Sequence, residues 1–266
     1  MEQKMMKTLE QLTSMELLTN ALRTRGFFVR YLANRLILQP GSGRRDVRYL
    51  QKLFDALHIQ ASYREDMVIL DEFHVTEELV ERISLFRAYN QESWCPQHMR
   101  SWKAFTKRRH GYKLDTLTLD AGVAYLVKML SKAGILTEMS CDGHGKRPPS
   151  IWFAGGFNAA WFEMISHKLL SAEDFHYRWI VEEKRGNQIL TAKKPLSESW
   201  NLAYVQEDAM KLGAYLDEHA DELRDAKRSS FKYRSMKEQA MVLSGDFAAL
   251  KMWMRERSSY FNEVSM

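Results

Sequence analysis

Apolar positions in the first 88 residues alternate between a helical and a strand period. Residues 13–16 have the form of a capping box, and a helical stripe follows them until Gly26. Two stretches rich in aromatic and β-branched residues, 27–32 and 35–39, come next and predict a hairpin. The same alternation then predicts a second helix, a second hairpin and a third helix within residues 46–57, 60–71 and 76–88.

A similar order of elements recurs from residue 120 onward. Asp120 is a predicted helix cap, and the apolar stripe after it ends at Gly134. Asn158 is the predicted cap of the next helix, and a long helix is expected after Ser197. Strands are predicted for the alternating or β-branched stretches 135–141, 150–154, 175–183 and 188–193.

These patterns predict an α+β fold with two helix-hairpin-helix-hairpin-helix halves and a C-terminal helical tail. The shared order of elements suggests a duplication in topology, although chance similarity between common α+β units stays open. The tail is expected to dock on the core through Met and Trp side chains, Met241 and Trp253 among them. The expected divisions are an N-terminal half, a basic connector, a second half and the tail, at residues 1–92, 93–119, 120–225 and 226–266.

Composition excludes several classes of protein. The chain has 266 residues, 45% of them apolar and 27% charged, with 5 Pro and 13 Gly, which argues against a disordered or collagen-like protein. Two cysteines do not make a disulfide framework, and the opening residues lack the apolar core of a signal peptide, so we expect a cytoplasmic protein. No apolar run approaches the roughly 18 to 20 residues that span a bilayer, so no membrane insertion is expected.

Charge is segregated along the chain. The net charge is +5, but residues 23–64 contain nine basic and two acidic residues, and residues 98–113 contain six basic residues and no acid. If these segments share one surface, phosphate contacts there would favour nucleic-acid binding, DNA more than RNA. A solvated basic face over buried aromatics is the alternative. The residues expected to contact phosphates are Arg30, Arg35, Arg44, Arg45, Lys107, Arg108 and Arg109.

One short string concentrates reactive side chains. Cys141, Asp142 and His144 lie within four residues, and Gly143 and Gly145 let the backbone bend around a ligand. A thiol, a carboxylate and an imidazole supply a nucleophile with its base, or metal ligands, so an enzyme acting on a nucleotide or nucleic acid is the alternative function. A glycine-rich turn with Asp142 capping backbone groups is the structural alternative.

Two metal sets are conceivable from the sequence. Cys95 and His98 have the same spacing as Cys141 and His144, so the four would form a Cys₂His₂ zinc site if the fold brought them together. Asp115, Asp120 and Asp142 are dispersed acids that would bind magnesium only if the fold brought them together.

Common catalytic motifs are missing, so whether the protein is an enzyme stays open. The chain has no Gly-x-Ser-x-Gly, no His-Glu-x-x-His and no Gly-x-Gly-x-x-Gly string, and the glycines at 41–43 lack the spacing of a Walker loop. An adaptor is a further alternative, with the Met-rich tail as the surface that binds a protein partner.

Two strings carry a resemblance to a known family. Residues 17–27 and 125–135 are apolar helical segments that end in Gly before a predicted strand. This two-half order resembles the tandem core of LAGLIDADG proteins, in which such helices lead into strands that lie on DNA. The family's cleaving members carry a metal-binding acid immediately before the Gly, whereas this chain has Arg25 and Ala133 there. Over residues 14–223 the resemblance therefore implies DNA binding and disfavours cleavage by that route.

Overall fold

The computed structural model of the chain describes residues 2–65, 67–70, 74–87, 114–172, 174–195 and 198–258. These residues form α-helices and two four-stranded antiparallel sheets, which confirms the predicted α+β class. Within the same ranges, no helix has the length and apolar character needed to cross a membrane.

The first half of the described chain, residues 2–87, places three helices on one side of a sheet. Its elements are α1 (Glu2–Arg25), β1 (Val29–Leu32), β2 (Arg35–Leu38), α2 (Asp46–Ala56), β3 (Ala61–Arg64), β4 (Met67–Leu70) and α3 (Glu77–Ser84). The strand order in this first sheet is β1-β2-β4-β3. Leu22 of α1 and Phe54 of α2 share one buried core with Leu36 and Val68 of the sheet. The helices therefore cover the inner face of the first sheet, and its other face is the outer face.

The second half repeats this order of elements. Its elements are α4 (Ala124–Lys132), β5 (Thr137–Cys141), β6 (Ser150–Phe153), α5 (Gly156–Ala172), β7 (Arg178–Lys184), β8 (Asn187–Lys193) and α6 (Leu202–Glu218). The strand order in the second sheet is β5-β6-β8-β7, equivalent to that of the first. Leu130 of α4 and Leu212 of α6 are buried with Ile151 and Leu190 of the sheet, so this sheet also has a covered inner face and an outer face.

Three helices follow the second half. They are α7 (Ala220–Ser230), α8 (Arg234–Leu243) and α9 (Phe247–Arg257). Leu250, Trp253 and Met254 of α9 are buried in the core of the second half, so this part of the tail docks as expected. Met241 of α8 does not pack there, because 65% of its surface is exposed.

The helix starts follow the capping rules only in part. Thr76, the first residue of the predicted third helix, caps α3, with its hydroxyl accepting from the Leu79 N–H at 3.2 Å. The capping box expected at residues 13–16 is wrong, because α1 already begins at Glu2. Asp120 and Asn158 are not caps either. The carboxylate of Asp120 accepts from the backbone of Asp142, and the side-chain oxygen of Asn158 accepts from the backbone of Leu136 and from Lys227.

Buried polar contacts join the two halves. Asp46, the first residue of α2, forms an ion pair with Lys128 of α4 at 3.0 Å, and both side chains are almost fully buried. The other oxygen of Asp46 accepts from the Thr116 N–H at 2.8 Å. At a second contact, Gly26 lies so close to α4 that a Cβ there would be 2.9 Å from the Cβ of Ala124. The interface thus fixes the position of α4 against α1 and α2.

Candidate functional sites

Three exposed arginines lie on the outer face of the first sheet. The register pairs Arg30 with Ile37, Ile37 with Met67, and Met67 with Arg64, so these four residues form one row across β1, β2, β4 and β3. Directly paired residues of antiparallel strands point to the same face. The row parallel to it consists of Leu32, Arg35, Ile69 and Ser62.

The charge on this outer face has one sign. Arg30, Arg35 and Arg64 are all exposed, and the four strands contain no acidic residue. Among the described residues next to these strands, Glu65 lies in the turn after β3. Arg64 extends the sequence prediction, which named only Arg30 and Arg35 among the strand residues.

The predicted basic residues do not all fall on this face. Arg44 and Arg45 precede α2, the helix that packs on the inner face of the sheet. Arg45 is bound to Asp115, with Nε 3.7 Å from one carboxylate oxygen and its N–H donating to the other at 3.0 Å. A hydrogen bond with Tyr49 and the charge of Asp115 raise the pKa of Arg45. The expectation of a single basic surface is therefore wrong for the described residues, which divide between the outer face of the sheet and the start of α2. Lys107, Arg108 and Arg109 lie outside the described residues.

The second candidate site is the turn between β5 and β6. Cys141 is the last residue of β5, and Gly143, His144 and Gly145 all have left-handed backbone angles, with φ values of 78°, 53° and 69°. A Cβ on Gly143 would lie 3.1 to 3.3 Å from the backbone of residues 148 and 149, so glycine is required there by space as well as by conformation. Left-handed geometry is uncommon for non-glycine residues, and histidine is among those that adopt it most readily.

This turn brings the three predicted side chains together. Cys141 Sγ lies 3.6 Å from His144 Nε2, and Asp142 Oδ1 lies 3.1 Å from His144 Nδ1. Asp142 Oδ1 also accepts from the His144 N–H at 3.0 Å, which is the backbone cap expected from the sequence. The capping and the reactive interpretations of Asp142 therefore describe the same carboxylate.

Asp120 completes the cluster from a different part of the chain. Its Oδ2 atom is 3.7 Å from His144 Nε2 and accepts from the Asp142 N–H at 3.3 Å. One donor atom from each of Asp120, Cys141, Asp142 and His144 lies within 4.8 Å of the others. Burial and the nearby Asp142 charge raise the pKa of Asp120. We call these four residues the Cys141 cluster.

Sequence reasoning missed Arg87, which reaches the Cys141 cluster from the first half. Its Nη2 donates to Asp142 Oδ2 at 2.7 Å, and its Nη1 lies 2.6 Å from His144 Nδ1. Asp142 Oδ2 also accepts from the Gly122 N–H at 3.1 Å. No local signal marks Arg87, because it is 55 residues from Asp142 and only the packing of the halves brings them together.

The chemistry open to the Cys141 cluster depends on the state of its thiol. Partial burial and the charges of Asp120 and Asp142 raise the pKa of Cys141, although the Gly143 N–H opposes this. Only the thiolate is nucleophilic, so the raised pKa of Cys141 disfavours a cysteine nucleophile.

Cys95 and His98 of the predicted Cys₂His₂ set lie outside the described residues. Asp115 does not join the cluster, because it binds Arg45.

Arg25 and Ala133, the residues before Gly26 and Gly134, are both buried. Arg25 donates to the carbonyl oxygens of Phe86 at 2.6 Å, Leu119 at 3.0 Å and Thr116 at 3.4 Å. Burial lowers its pKa to about 10, still far above neutral pH, so the side chain stays a cation. The side chain of Ala133 has no polar atom.

Comparison of the chain with protein-family models, curated proteins and solved structures gives no match.

Proposed function

We propose that this protein binds double-stranded DNA through the outer face of the first sheet. The observation that carries the proposal is the set of three exposed arginines, Arg30, Arg35 and Arg64, contributed by three strands that contain no acid. Each arginine that contacts a phosphate releases condensed counterions, which makes binding favourable and dependent on salt. The free thiol of Cys141 fits a reducing, cytoplasmic setting for this activity.

The dimensions of the arginine row suit a duplex. Arg30 and Arg64 lie on the two edge strands, three strand spacings or roughly 14 Å apart. The major groove of B-DNA is roughly 12 Å wide and admits β-structure. Arginines at both edges would therefore reach phosphates on opposite sides of the groove.

The residues between the arginines suit the floor of the groove. Ile37 and Met67 separate Arg30 from Arg64 in the row, and both are partly exposed. Apolar side chains contact the methyl group of thymine, which lies in the major groove. The major groove of RNA duplexes is deep and narrow, so the same face would fit RNA poorly, and this supports the preference for DNA.

The LAGLIDADG resemblance supports the same surface. In that family the strands after the Gly-terminated helix lie on DNA, and here Arg30 and Arg35 belong to the hairpin after Gly26. The equivalent strand orders of the two sheets support a duplication of the halves. Because Arg25 and Ala133 replace the family's acids, the proposal is binding without cleavage by that route.

Charge reversal on matched faces tests the proposal. The variant Arg30→Glu/Arg35→Glu/Arg64→Glu is compared with a control that reverses the same number of cations on the outer face of the second sheet. That control is Arg178→Glu/Lys184→Glu/Lys193→Glu. Fluorescence anisotropy with a labelled DNA duplex, at two salt concentrations, should show at least a hundredfold loss for the first variant and less than a threefold loss for the control.

Each other outcome has a definite meaning. Equal losses in both variants would mean that net charge or both sheets bind DNA, and would contradict the assignment to the first sheet. Unchanged affinity in the first variant, with an intact circular dichroism spectrum, would reject DNA binding by this face. Equal affinity of the wild type for an RNA duplex of the same sequence would overturn the preference for DNA.

A further inference from the structure

The Cys141 cluster contains the donor types that zinc prefers. A thiol, an imidazole nitrogen and a carboxylate oxygen converge from two chain segments about 20 residues apart. Such a mixed sulfur, nitrogen and oxygen set favours zinc over magnesium, which takes oxygen ligands. We propose that Cys141 Sγ, His144 Nε2 and an Asp120 oxygen bind a zinc ion, and that Asp142 orients the His144 ring.

The separations of these atoms fit a tetrahedral ion. Zinc lies roughly 2.3 Å from a cysteine sulfur and roughly 2.0 to 2.1 Å from nitrogen or oxygen, so neighbouring ligands are roughly 3.3 to 3.6 Å apart. His144 Nε2 is 3.6 Å from Cys141 Sγ and 3.7 Å from Asp120 Oδ2. Shifts of a few tenths of an ångström would bring these two separations to the tetrahedral values, and an Asp120 oxygen lies within 4.8 Å of Cys141 Sγ.

Asp142 is better suited to orient His144 than to bind the ion. Its Oδ1 is 3.1 Å from His144 Nδ1 and can accept a hydrogen bond from a protonated Nδ1, which leaves Nε2 for the metal. Its Oδ2 is held by Arg87 and by the Gly122 N–H. The Asp142 side chain is fully buried, so this orientation is fixed.

Arg87 controls which ring nitrogen carries the proton. A guanidinium group only donates, so while Arg87 Nη1 lies 2.6 Å from His144 Nδ1, that nitrogen is the acceptor and the proton is on Nε2. Zinc binding moves the ring proton to Nδ1, which then donates to Asp142, and releases the thiol proton of Cys141 to solvent. Arg87 Nη1 must withdraw, and its side chain is 35% exposed and thus able to do so.

Three protein ligands leave a fourth position for water or another ligand. This is the pattern of catalytic rather than structural zinc sites. The His144 side chain is 42% exposed, so the fourth position faces solvent. Zinc binding here is independent of the proposed DNA binding, because the Cys141 cluster shares no residue with the arginine face and the test contains no nucleic acid.

Cobalt titration of the reduced, metal-free full chain tests the site. Tetrahedral Co²⁺ with a thiolate ligand gives visible d–d bands and a near-ultraviolet sulfur-to-metal band. We expect one equivalent of Co²⁺, displaced by one equivalent of Zn²⁺. Cys141→Ser should abolish the sulfur band, whereas Cys95→Ser, the matched control, should retain it. His144→Gln should abolish tight binding, whereas His167→Gln, at an exposed histidine of α5, should leave it unchanged.

The two aspartates separate ligand from orienting residue. Asp120→Asn should weaken Co²⁺ binding at least a hundredfold and change the d–d spectrum, because a ligand is lost. Asp142→Asn should weaken binding roughly 10- to 100-fold and leave the d–d spectrum unchanged, as expected of a residue behind the ligand. If Asp120→Asn fails to fold, the cysteine pair still decides. Binding of less than half an equivalent, a sulfur band retained in Cys141→Ser, or a band lost in Cys95→Ser would overturn the proposal.

Discussion

The outer faces of the two sheets are built on equivalent strand orders but differ in charge. The first carries Arg30, Arg35 and Arg64 and no acid. The second also carries three cations, Arg178, Lys184 and Lys193, but Lys193 forms an ion pair with Glu182 at 2.6 Å on the same face. The two sheets therefore share a strand order but differ in the distribution of acids, and under the proposed DNA binding this difference makes the first sheet the better surface for phosphate.

The two outer faces differ in burial as well. Ile37 and Ile69 in the middle of the first outer face are partly exposed, whereas Ile189 and Thr191 in the middle of the second are 1% and 4% exposed. The second half also has the larger core, which α9 extends. Under the proposed DNA binding, this contrast places recognition in the first half, whereas the larger core and most of the Cys141 cluster lie in the second half.

The two halves are expected to fold as one unit, because a buried ion pair joins them. Removing one partner of that pair tests whether they do. Asp46→Asn removes the charge that balances Lys128 in the interface. Burial already lowers the pKa of Lys128, and the loss of Asp46 would leave its ammonium buried without a counter-charge. We expect a destabilisation of about 3 to 5 kcal/mol by chemical denaturation.

Asp55→Asn is the control, since Asp55 lies on the exposed side of the same helix. It should change the free energy of unfolding by less than about 0.5 kcal/mol. Two separate unfolding transitions in Asp46→Asn would show that the halves fold independently once uncoupled. A loss no greater than that of the control would contradict the role given to the pair.

A second buried lysine joins the first helix of the tail to the second half. Lys227 of α7 donates to the Gly134 carbonyl and to Asn158 Oδ1, both at 2.9 Å, and burial lowers its pKa to about 7. Between pH 7 and the unfolded pKa of 10.5, the unfolded chain binds a proton that the folded chain does not. Stability should therefore rise by about 3 kcal/mol from pH 7 to 9.5.

Lys227→Met should remove this rise, as measured by urea denaturation at the two pH values. Lys184→Met, at an exposed position at the end of β7, should keep it. The same rise in Lys227→Met as in the wild type would show that other groups cause the pH dependence.

The smallest expected effect concerns the acids of the second sheet. Glu138→Gln/Glu182→Gln removes one negative charge from β5 and one from β7, and frees Lys193 from its ion pair with Glu182. Because an exposed ion pair contributes less than about 1 kcal/mol, stability should hardly change, and DNA affinity by anisotropy should rise less than threefold. A tenfold gain would mean that removing acids is enough to create a binding face, and that the first sheet is not special.

The position of the strand arginines was partly predictable. The turn at residues 33–34 pairs Leu32 with Arg35, and period-two alternation then places Arg30 on the same face as Arg35. The addition of Arg64 depends on the pairing of β2 with β4, two strands from different hairpins. No local pattern encodes that pairing. The predicted phosphate contacts therefore included Arg44 and Arg45, from the same basic segment, and omitted Arg64.

The Cys141 cluster was predicted from its local string but not in full. Cys141, Asp142 and His144 meet because they lie in one tight turn, which the two glycines in the sequence predict. Asp120 was interpreted as a helix cap, because aspartate before an apolar stripe usually is one. Its true partner, the Asp142 backbone, is reached only when α4 packs beside β5.

Inward- and outward-facing side chains alternate along the strands of the first sheet, so its outer positions can be substituted without changing the core. Leu36 and Val68 hold the interior, while Ile37, Met67 and Ile69 point outward between them. Substitutions at those three outward positions leave the interior untouched, so under the DNA-binding proposal the preferred DNA sequence can change while the scaffold stays the same. A randomised library confined to these positions would be the natural starting point for engineering altered recognition.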